Sequence, residues 1–152
     1  MGFLSKLMGM GGSKSDAKKE EIRQIFNSKV QDGESYNVVA ATHVKTEHTL
    51  LKETRTFYNY IVGYKDGEDP EIVIISTTYD LSDVDEPIHC KRSECTKAFY
   101  SDIFSISHPQ LGSEPLLFTL IASSAWGGYI IPVSYIDEFF PFSEFFQHKF
   151  AK

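Results

Sequence analysis

The residues of this 152-residue chain best suited to chemistry lie in the segment HCKRSEC, which contains His89, Cys90 and Cys95. A protein-bound zinc ion takes four nitrogen or sulfur ligands in tetrahedral geometry. The chain has no second pair of cysteines, and in a strand His89 and Cys90 would point to opposite faces of the sheet. We therefore expect no metal site here, and reduced thiols beside a turn.

Motifs for nucleophilic or nucleotide-dependent catalysis are also missing. A cysteine nucleophile needs a neighbouring base, and His43, His48 and His108 qualify by composition alone. Ser123 and Ser124 lack the G-x-S-x-G pattern of serine hydrolases, and the chain has neither a P-loop nor a G-x-G-x-x-G motif. We predict no catalytic residue and no cofactor, and keep a small enzyme built from scattered His, Cys and acidic residues as the third hypothesis.

The segment DLSDVDEP concentrates carboxylates at Asp80, Asp83, Asp85 and Glu86. Calcium needs six to eight oxygen ligands, and the spacing of an EF-hand loop is absent. We interpret the segment as a solvated acidic loop without a bound metal. An acidic surface of this kind would also suit a basic protein partner, as in an immunity or inhibitor protein.

Aromatic side chains supply the candidates for ligand or partner binding. Trp126 precedes two glycines in ASSAWGG, which predicts a tight turn where the ring packs at a corner, lines a pocket or anchors a partner. Tyr58, Tyr60 and Tyr64 alternate along one segment and would share a sheet face with Val62. That face is interpreted first as packing with hydrated hydroxyls, and alternatively as a binding face.

The opening segment, MGFLSKLMGMGG, provides a second candidate contact. Phe3, Leu4, Leu7 and Met8 would lie on one side of a helix. Lys6 interrupts the apolar run that a secretory signal needs, and it occupies the position where myristoylation requires Ser or Thr. Two alternatives stay open: a disordered end, or a weak amphipathic contact with a membrane or a protein.

Charge and composition restrict the partner classes. The chain has a net charge of −6, of which residues 1–30 contribute +3 and residues 31–152 contribute −9. An acidic body disfavours nucleic acid, because phosphates need a basic surface. No apolar run approaches the roughly 20 residues of a membrane-spanning helix. Two cysteines are too few for a disulfide framework, which favours a cytoplasmic location, with or without peripheral membrane contact.

The elements that must position these residues start with an amphipathic helix. Asp16 is the expected N-cap, Gly33 the expected end, and the apolar positions between them are Ile22, Ile25, Phe26 and Val30. After Gly33 the apolar period becomes two, which indicates strands. An Asp66-Gly67 turn between two such runs predicts a hairpin.

The chain ends in a phenylalanine-rich segment. Pro141 is expected in the first turn of a helix whose buried face carries Phe142, Phe145, Phe146 and Phe150. Burial of each ring contributes roughly 2–3 kcal/mol, so this helix should supply much of the core. We expect residues 135–150 to be ordered and buried.

The order of helix, six or seven strands and terminal helix predicts an α+β domain without parallel βαβ units. We expect a strongly bent antiparallel sheet or partly open barrel, capped by the phenylalanine-rich helix. Residues 1–15 would form a flexible segment and residues 16–152 a single globular domain. Across residues 34–150 this layout resembles bacterial pleckstrin-homology-like domains, and the chain as a whole also looks like a member of a small bacterial family.

The resemblance implies a binding module, but it identifies no ligand residues in this chain. Our first hypothesis is a non-enzymatic cytoplasmic binding module that contacts a protein or lipid surface, with the N-terminal segment as a peripheral contact. The alternative is an immunity-type or inhibitor-type protein that binds a basic partner through residues 80–86.

Overall fold

The computed structural model describes residues 13–100, 103–120 and 135–150 of the chain. In chain order, its elements are α1 (Ser13–Lys29), β1 (Asn37–His48), β2 (Glu53–Lys65), β3 (Glu71–Thr77), β4 (Ile88–Lys91), β5 (Thr96–Tyr100), β6 (Ile103–Ser107), β7 (Leu116–Phe118) and α2 (Phe140–Phe145). Single 3-10 turns occupy Gly33–Ser35, Arg92–Glu94 and Pro109–Leu111.

The strands form two antiparallel sheets, one of four strands in the order β1-β2-β3-β4 and one of three in the order β5-β6-β7. Thr42 of β1 and Thr119, just after β7, exchange backbone hydrogen bonds of 3.0 and 2.8 Å that link the sheets. The α+β class, the N-terminal helix and the phenylalanine-rich C-terminal helix are confirmed. Within the described ranges, the sheets do not close into a barrel.

Helix α1 packs on one face of the four-stranded sheet. Ile22, Phe26 and Val30 are buried in one cluster with residues of β1, β2 and β3. The Phe26 ring lies directly over Gly63 of β2, where an added Cβ atom would come within 2.2 Å of a ring carbon. The predicted apolar face of the helix is confirmed, and Gly63 makes this close packing possible.

Helix α1 is longer at its start than predicted, because it begins at Ser13 rather than after Asp16. Gly11 and Gly12 are the last strong helix breakers, and no residue after them interrupts the helix. The helix ends at Lys29, and Gly33 follows in a 3-10 turn. There a Cβ atom would lie 2.9 Å from the Cα atom of Asn27, so the end of the helix also needs a glycine.

The phenylalanine-rich segment covers the core between the two sheets. Turns of wider, π-helical geometry at Tyr135–Phe139 and Phe146–Phe150 flank α2. The four predicted rings are buried, as are those of Phe104 and Phe118 from the three-stranded sheet. The Phe104 centroid lies 4.8 Å from that of Phe142 and 5.0 Å from that of Phe146. Pro141 lies in the first turn of α2, as predicted, although helical turns precede it.

The Asp66-Gly67 hairpin is confirmed between β2 and β3. The Asp66 side chain accepts a 2.8 Å hydrogen bond from the Gly67 backbone N–H, and Gly67 has a positive φ of 152°. None of the helices in the described ranges is long and apolar enough to cross a bilayer.

Candidate functional site

The β1–β2 hairpin extends well beyond the sheet to which it belongs. β1 and β2 pair along their whole length, from Asn37 opposite Tyr64 to His48 opposite Glu53. β3 pairs with β2 only as far as Asn59, and β1 makes its bridge to Thr119 at Thr42. Within the part of the chain that the structure describes, residues 43–58 therefore form a two-stranded ribbon, which we call the hairpin arm.

The tip of the hairpin arm carries two leucines. Leu50 and Leu51 form the two-residue turn between Thr49 and Lys52, and their exposed fractions are 104% and 96%. The Thr49 backbone N–H donates to the Lys52 carbonyl at 2.8 Å, and the Lys52 N–H donates to Thr49 Oγ1 at 3.1 Å. Such turns favour Gly, Asn and Asp, so a pair of exposed leucines here breaks a local rule and marks a functional candidate.

Further apolar side chains lie along both faces of the arm. Val44 and Phe57 are opposite each other on one face, and the ring of Tyr58 stacks on that of His43 on the other, with centroids 6.2 Å apart. Eight large apolar side chains are exposed in the described ranges, and five belong to the arm: Val44, Leu50, Leu51, Phe57 and Tyr58. Such concentration marks an interaction surface rather than scattered surface residues.

The arm differs from the body in charge. It holds three Lys or Arg and two Glu in a chain whose residues 31–152 carry −9. Lys45 pairs with Glu47 at 3.5 Å, and Arg55 with Glu53 at 3.2 Å. Lys52, next to the leucines, has no acidic partner among the described residues. The tip therefore combines two apolar side chains with one unneutralised ammonium group.

A polar row separates the arm from the core. Asn59 of β2 lies between Thr42 of β1 and Thr77 of β3, and the side chains of Asn59 and Thr42 are buried. The carbonyl oxygen Oδ1 of Asn59 is buried and has no hydrogen-bond partner among the described residues. An unpaired buried polar atom costs about 1–3 kcal/mol, so this row is a weak point at the root of the arm.

The three tyrosines named from the sequence lie in different environments. Tyr58 is exposed on the arm, whereas Tyr60 and Tyr64 are buried in the core. Burial raises the pKa of Tyr60 to about 12 and also raises the pKa of Tyr64, whose ring centroid lies 5.1 Å from that of Phe142. Only Tyr58 is available to a partner.

The other named candidates lie outside the described residues. These are Trp126 and the N-terminal set Phe3, Leu4, Leu7 and Met8. A role for either in binding stays a prediction from the sequence.

The acidic segment is partly engaged in its own structure. Asp80 accepts hydrogen bonds from the Thr78 hydroxyl at 2.8 Å and from the Ser82 hydroxyl at 2.7 Å. These bonds lower the pKa of the Asp80 carboxyl to about 2, with the Ser82 hydroxyl the largest cause. The turn directs Leu81 into the cluster beneath α1, and Glu86 pairs with Lys29 at 3.4 Å. Asp83 and Asp85 are exposed.

An open cleft brings His89, His108 and Glu94 together with Pro87. The Nδ1 atom of His108 accepts a 3.1 Å hydrogen bond from the Gln110 backbone, and its Nε2 lies 3.8 Å from Glu94. His89 contacts Glu71 at 3.2 Å. Among the described residues, no group of three or more His, Cys, Asp or Glu is arranged to hold a metal ion. The described residues that line the cleft offer proton-transfer groups but include no serine, threonine or cysteine nucleophile.

The Cys90 thiol lies on the face of β4 opposite that of His89, which lines this cleft. Cys90 is fully buried, and Cys95 packs against the same core cluster. A hydrogen bond between the thiols is the largest cause of shifts in both, raising the pKa of Cys90 and lowering that of Cys95. His89 is exposed to solvent while Cys90 is buried, as alternation along a strand requires.

Comparisons with protein families, curated proteins and solved structures found no match for this chain. The pleckstrin-homology-like resemblance stays a prediction.

The leucine pair at the arm tip is a candidate that sequence reasoning missed. The sequence signal is HTLLKE, in which two adjacent leucines lie between polar residues at the point where one predicted strand ends and the next begins. Apolar residues in a turn have no core to fill, and that conflict could have identified them.

Proposed function

We propose that the chain is a non-enzymatic binding module that docks peripherally on a lipid bilayer, with the leucine tip of the hairpin arm entering the interface. The observation that carries the proposal is the complete exposure of Leu50 and Leu51 at the end of a projecting ribbon. A projecting apolar tip is better suited to insertion into a membrane than to binding a ligand, which needs a concave pocket. We further propose a cytoplasmic location.

The chemistry of the tip suits the boundary between headgroups and acyl chains. Each leucine gains roughly 1.5–3 kcal/mol on full burial. Lys52 adds about 1 kcal/mol next to anionic headgroups. The hydrogen bonds between Thr49 and Lys52, and the one from the Leu51 N–H to Thr49 Oγ1, satisfy part of the turn. Among the described residues, the Leu50 N–H and the two leucine carbonyls have no acceptor or donor and need water, so insertion must be shallow.

The charge of the body limits the affinity. Residues 31–152 carry −9, so an anionic surface repels most of the domain while the arm holds it at a distance. Binding through the arm alone is therefore weak and reversible. The basic, apolar N-terminal segment would act as the second attachment, and two linked weak contacts raise the overall affinity.

The test is co-sedimentation of the full chain with vesicles of phosphatidylcholine and phosphatidylserine. The double variant Leu50→Gln/Leu51→Gln should lose at least about tenfold in vesicle partitioning, because it removes the inserting surface without adding charge. Tyr79→Gln is the matched control, since Tyr79 is an exposed apolar residue outside the arm. Equal pelleting of the double variant and the unmodified chain would refute the role of the arm.

A chain lacking residues 1–12 tests the second attachment separately. If both contacts operate, this chain and the leucine variant should each bind more weakly than the full chain, and their combination more weakly still. If truncation alone abolishes pelleting and the leucines have no effect, the N-terminal segment is the membrane contact and the arm is not.

The second candidate function is recognition of a basic protein by the acidic segment. Its support is the exposure of Asp83 and Asp85, neither of which forms an ion pair among the described residues. This reading predicts an association that weakens steeply with salt and with Asp83→Asn/Asp85→Asn, and that ignores the leucine variant. A partner whose binding is insensitive to salt would count against it.

A further inference from the structure

The connection between the two sheets brings two cysteines together. Cys90 is in β4, at the edge of the four-stranded sheet, and Cys95 immediately precedes β5 of the three-stranded sheet. The 3-10 turn Arg92–Glu94 reverses the chain between them, and the Cys95 N–H donates to the Arg92 carbonyl at 3.4 Å. Both side chains pack into one core cluster, with Cys90 fully buried and Cys95 partly exposed.

The surroundings of the two sulfur atoms differ. Lys97 approaches Cys95 and favours its thiolate, while its ammonium donates to the Arg92 carbonyl at 3.1 Å and lies 5.3 Å from the Phe150 ring centroid. Burial of the thiol, followed by the charges of Glu94 and Asp69, acts on the pKa of Cys95 in the opposite direction. Cys90 has no access to solvent, and its interaction with Cys95 is the largest cause that lowers the pKa of the Cys95 thiol. The Cys95 sulfur is therefore accessible to a small reagent, whereas the Cys90 sulfur is shielded from solvent.

We propose that Cys90 and Cys95 form a peroxide-responsive dithiol, in which Cys95 is the attacking residue and Cys90 the resolving residue. This assignment is independent of the proposed membrane contact, because neither cysteine belongs to the arm. The oxidant is hydrogen peroxide or another hydroperoxide small enough to reach a half-buried sulfur.

The reaction balances in two steps. The Cys95 thiolate attacks one peroxide oxygen, the O–O bond breaks, and the leaving hydroxide takes a proton to become water, which leaves Cys95 as a sulfenic acid. The Cys90 sulfur then attacks the Cys95 sulfur, and the sulfenic oxygen leaves as a second water with the Cys90 proton. The peroxide gains two electrons, one from each cysteine, and a disulfide closes across the Arg92–Glu94 turn.

The test is intact-mass analysis of the reduced full chain after exposure to a small molar excess of hydrogen peroxide, followed by alkylation with N-ethylmaleimide under denaturing conditions. The expected product has lost two hydrogen atoms and carries no maleimide, and dithiothreitol should restore two maleimide additions. Two maleimides on the peroxide-treated chain would overturn the proposal. Disulfides formed only between two copies of the chain, or a sulfinic acid on Cys95, would overturn it as well.

Single variants test the assigned roles. Cys90→Ala should trap Cys95 as a sulfenic acid that reacts with dimedone, whereas Cys95→Ala should leave the buried Cys90 unmodified. Dimedone labelling of Cys90 in Cys95→Ala, with circular dichroism showing a folded chain, would overturn the order of attack. If either variant does not fold, the mass experiment on the unmodified chain still decides the proposal.

Variants that neutralise or retain a charge near Cys95 separate the effect of charge on its reactivity from the effect of packing. Lys97→Gln should slow disulfide formation a few-fold, Lys97→Arg should retain the rate, and Glu94→Gln should raise it. Equal rates in all three would show that Lys97 and Glu94 do not position the charge at Cys95, and would overturn that part of the assignment.

Discussion

The two ends of the β1–β2 hairpin both contain aromatic and β-branched residues but lie in opposite environments. From Asn59 to Tyr64, β2 is buried on both faces, by α1 on one and by the phenylalanine-rich helix on the other. From Glu53 to Tyr58 the same strand is exposed on both. Aromatic and β-branched residues occur in both halves, so burial is decided by the elements that cover a strand and not by its propensity. Core packing explains the apolar residues of the base and leaves those of the arm unexplained.

The largest expected effect lies at the base. Gly63→Ala would bring a Cβ atom within 2.2 Å of the Phe26 ring, which is fully buried and cannot move without displacing α1. We expect a loss of about 3 kcal/mol or more in the free energy of unfolding, measured by urea titration. Arg55→Ala, in the exposed half of the same strand, is the control and should change it by less than about 0.5 kcal/mol. A small effect of Gly63→Ala would mean that helix and sheet are not in close contact.

A matched pair of truncations tests the comparison directly. Ile61→Ala removes a fully buried side chain from the base and should cost about 2–5 kcal/mol. Leu50→Ala removes a fully exposed side chain from the tip and should change the stability by less than about 0.5 kcal/mol. Chemical denaturation of both variants is the measurement. If Leu50→Ala destabilised the fold as much as Ile61→Ala, the tip would belong to the core and the comparison would fail.

A substitution in the polar row between the two halves should raise the free energy of unfolding, not lower it. Asn59→Val removes the unpaired buried oxygen and places a β-branched residue in a strand. We expect the free energy of unfolding to rise by about 1 kcal/mol, with vesicle partitioning unchanged. Thr42→Val at the neighbouring position is the comparison, and a stability loss in Asn59→Val would show that the amide has a stabilising partner.

The smallest expected effect concerns pH at the turn that places Leu81 against α1. The pKa of Asp80 is lowered to about 2 in the folded chain, from an ordinary value of 3.8. Hydrogen bonds to its carboxylate therefore stabilise the fold above about pH 4, and this contribution is lost as the pH falls toward 2. Asp80→Asn should flatten the pH dependence of unfolding in that window. An unchanged profile would show that the exposed carboxylate contributes nothing measurable.

The parts of the fold that sequence reasoning anticipated are those set by local periodicity. Ile22, Phe26 and Val30 repeat at helical spacing, as do the terminal phenylalanines, and both faces are buried as expected. The start of α1 was misplaced because Ser13 to Asp16 have no strong preference against helix. Such patterns identify an element, but they do not determine its exact ends.

Features that depend on contacts between distant parts of the chain could not be predicted from local periodicity. Alternation along β2 does not reveal where β3 stops pairing, so the separation of Tyr58 from Tyr60 and Tyr64 needed the structure. The spacing of Cys90 and Cys95 likewise does not reveal that a 3-10 turn brings both into one cluster. The leucines of the tip could in principle have been identified from the sequence, since two apolar residues in a turn conflict with the usual preference of turns for polar residues and glycine.

The backbone bridge between Thr42 and Thr119 has a mechanical consequence. It connects the root of the arm to the three-stranded sheet, so a force on the arm is transmitted to that sheet through these two hydrogen bonds. A load applied at Leu50 and Leu51 acts over the length of the ribbon before it reaches that point. The amide hydrogen of Thr119, held by the Thr42 carbonyl at 2.8 Å, is therefore the place where hydrogen exchange would register a force on the tip.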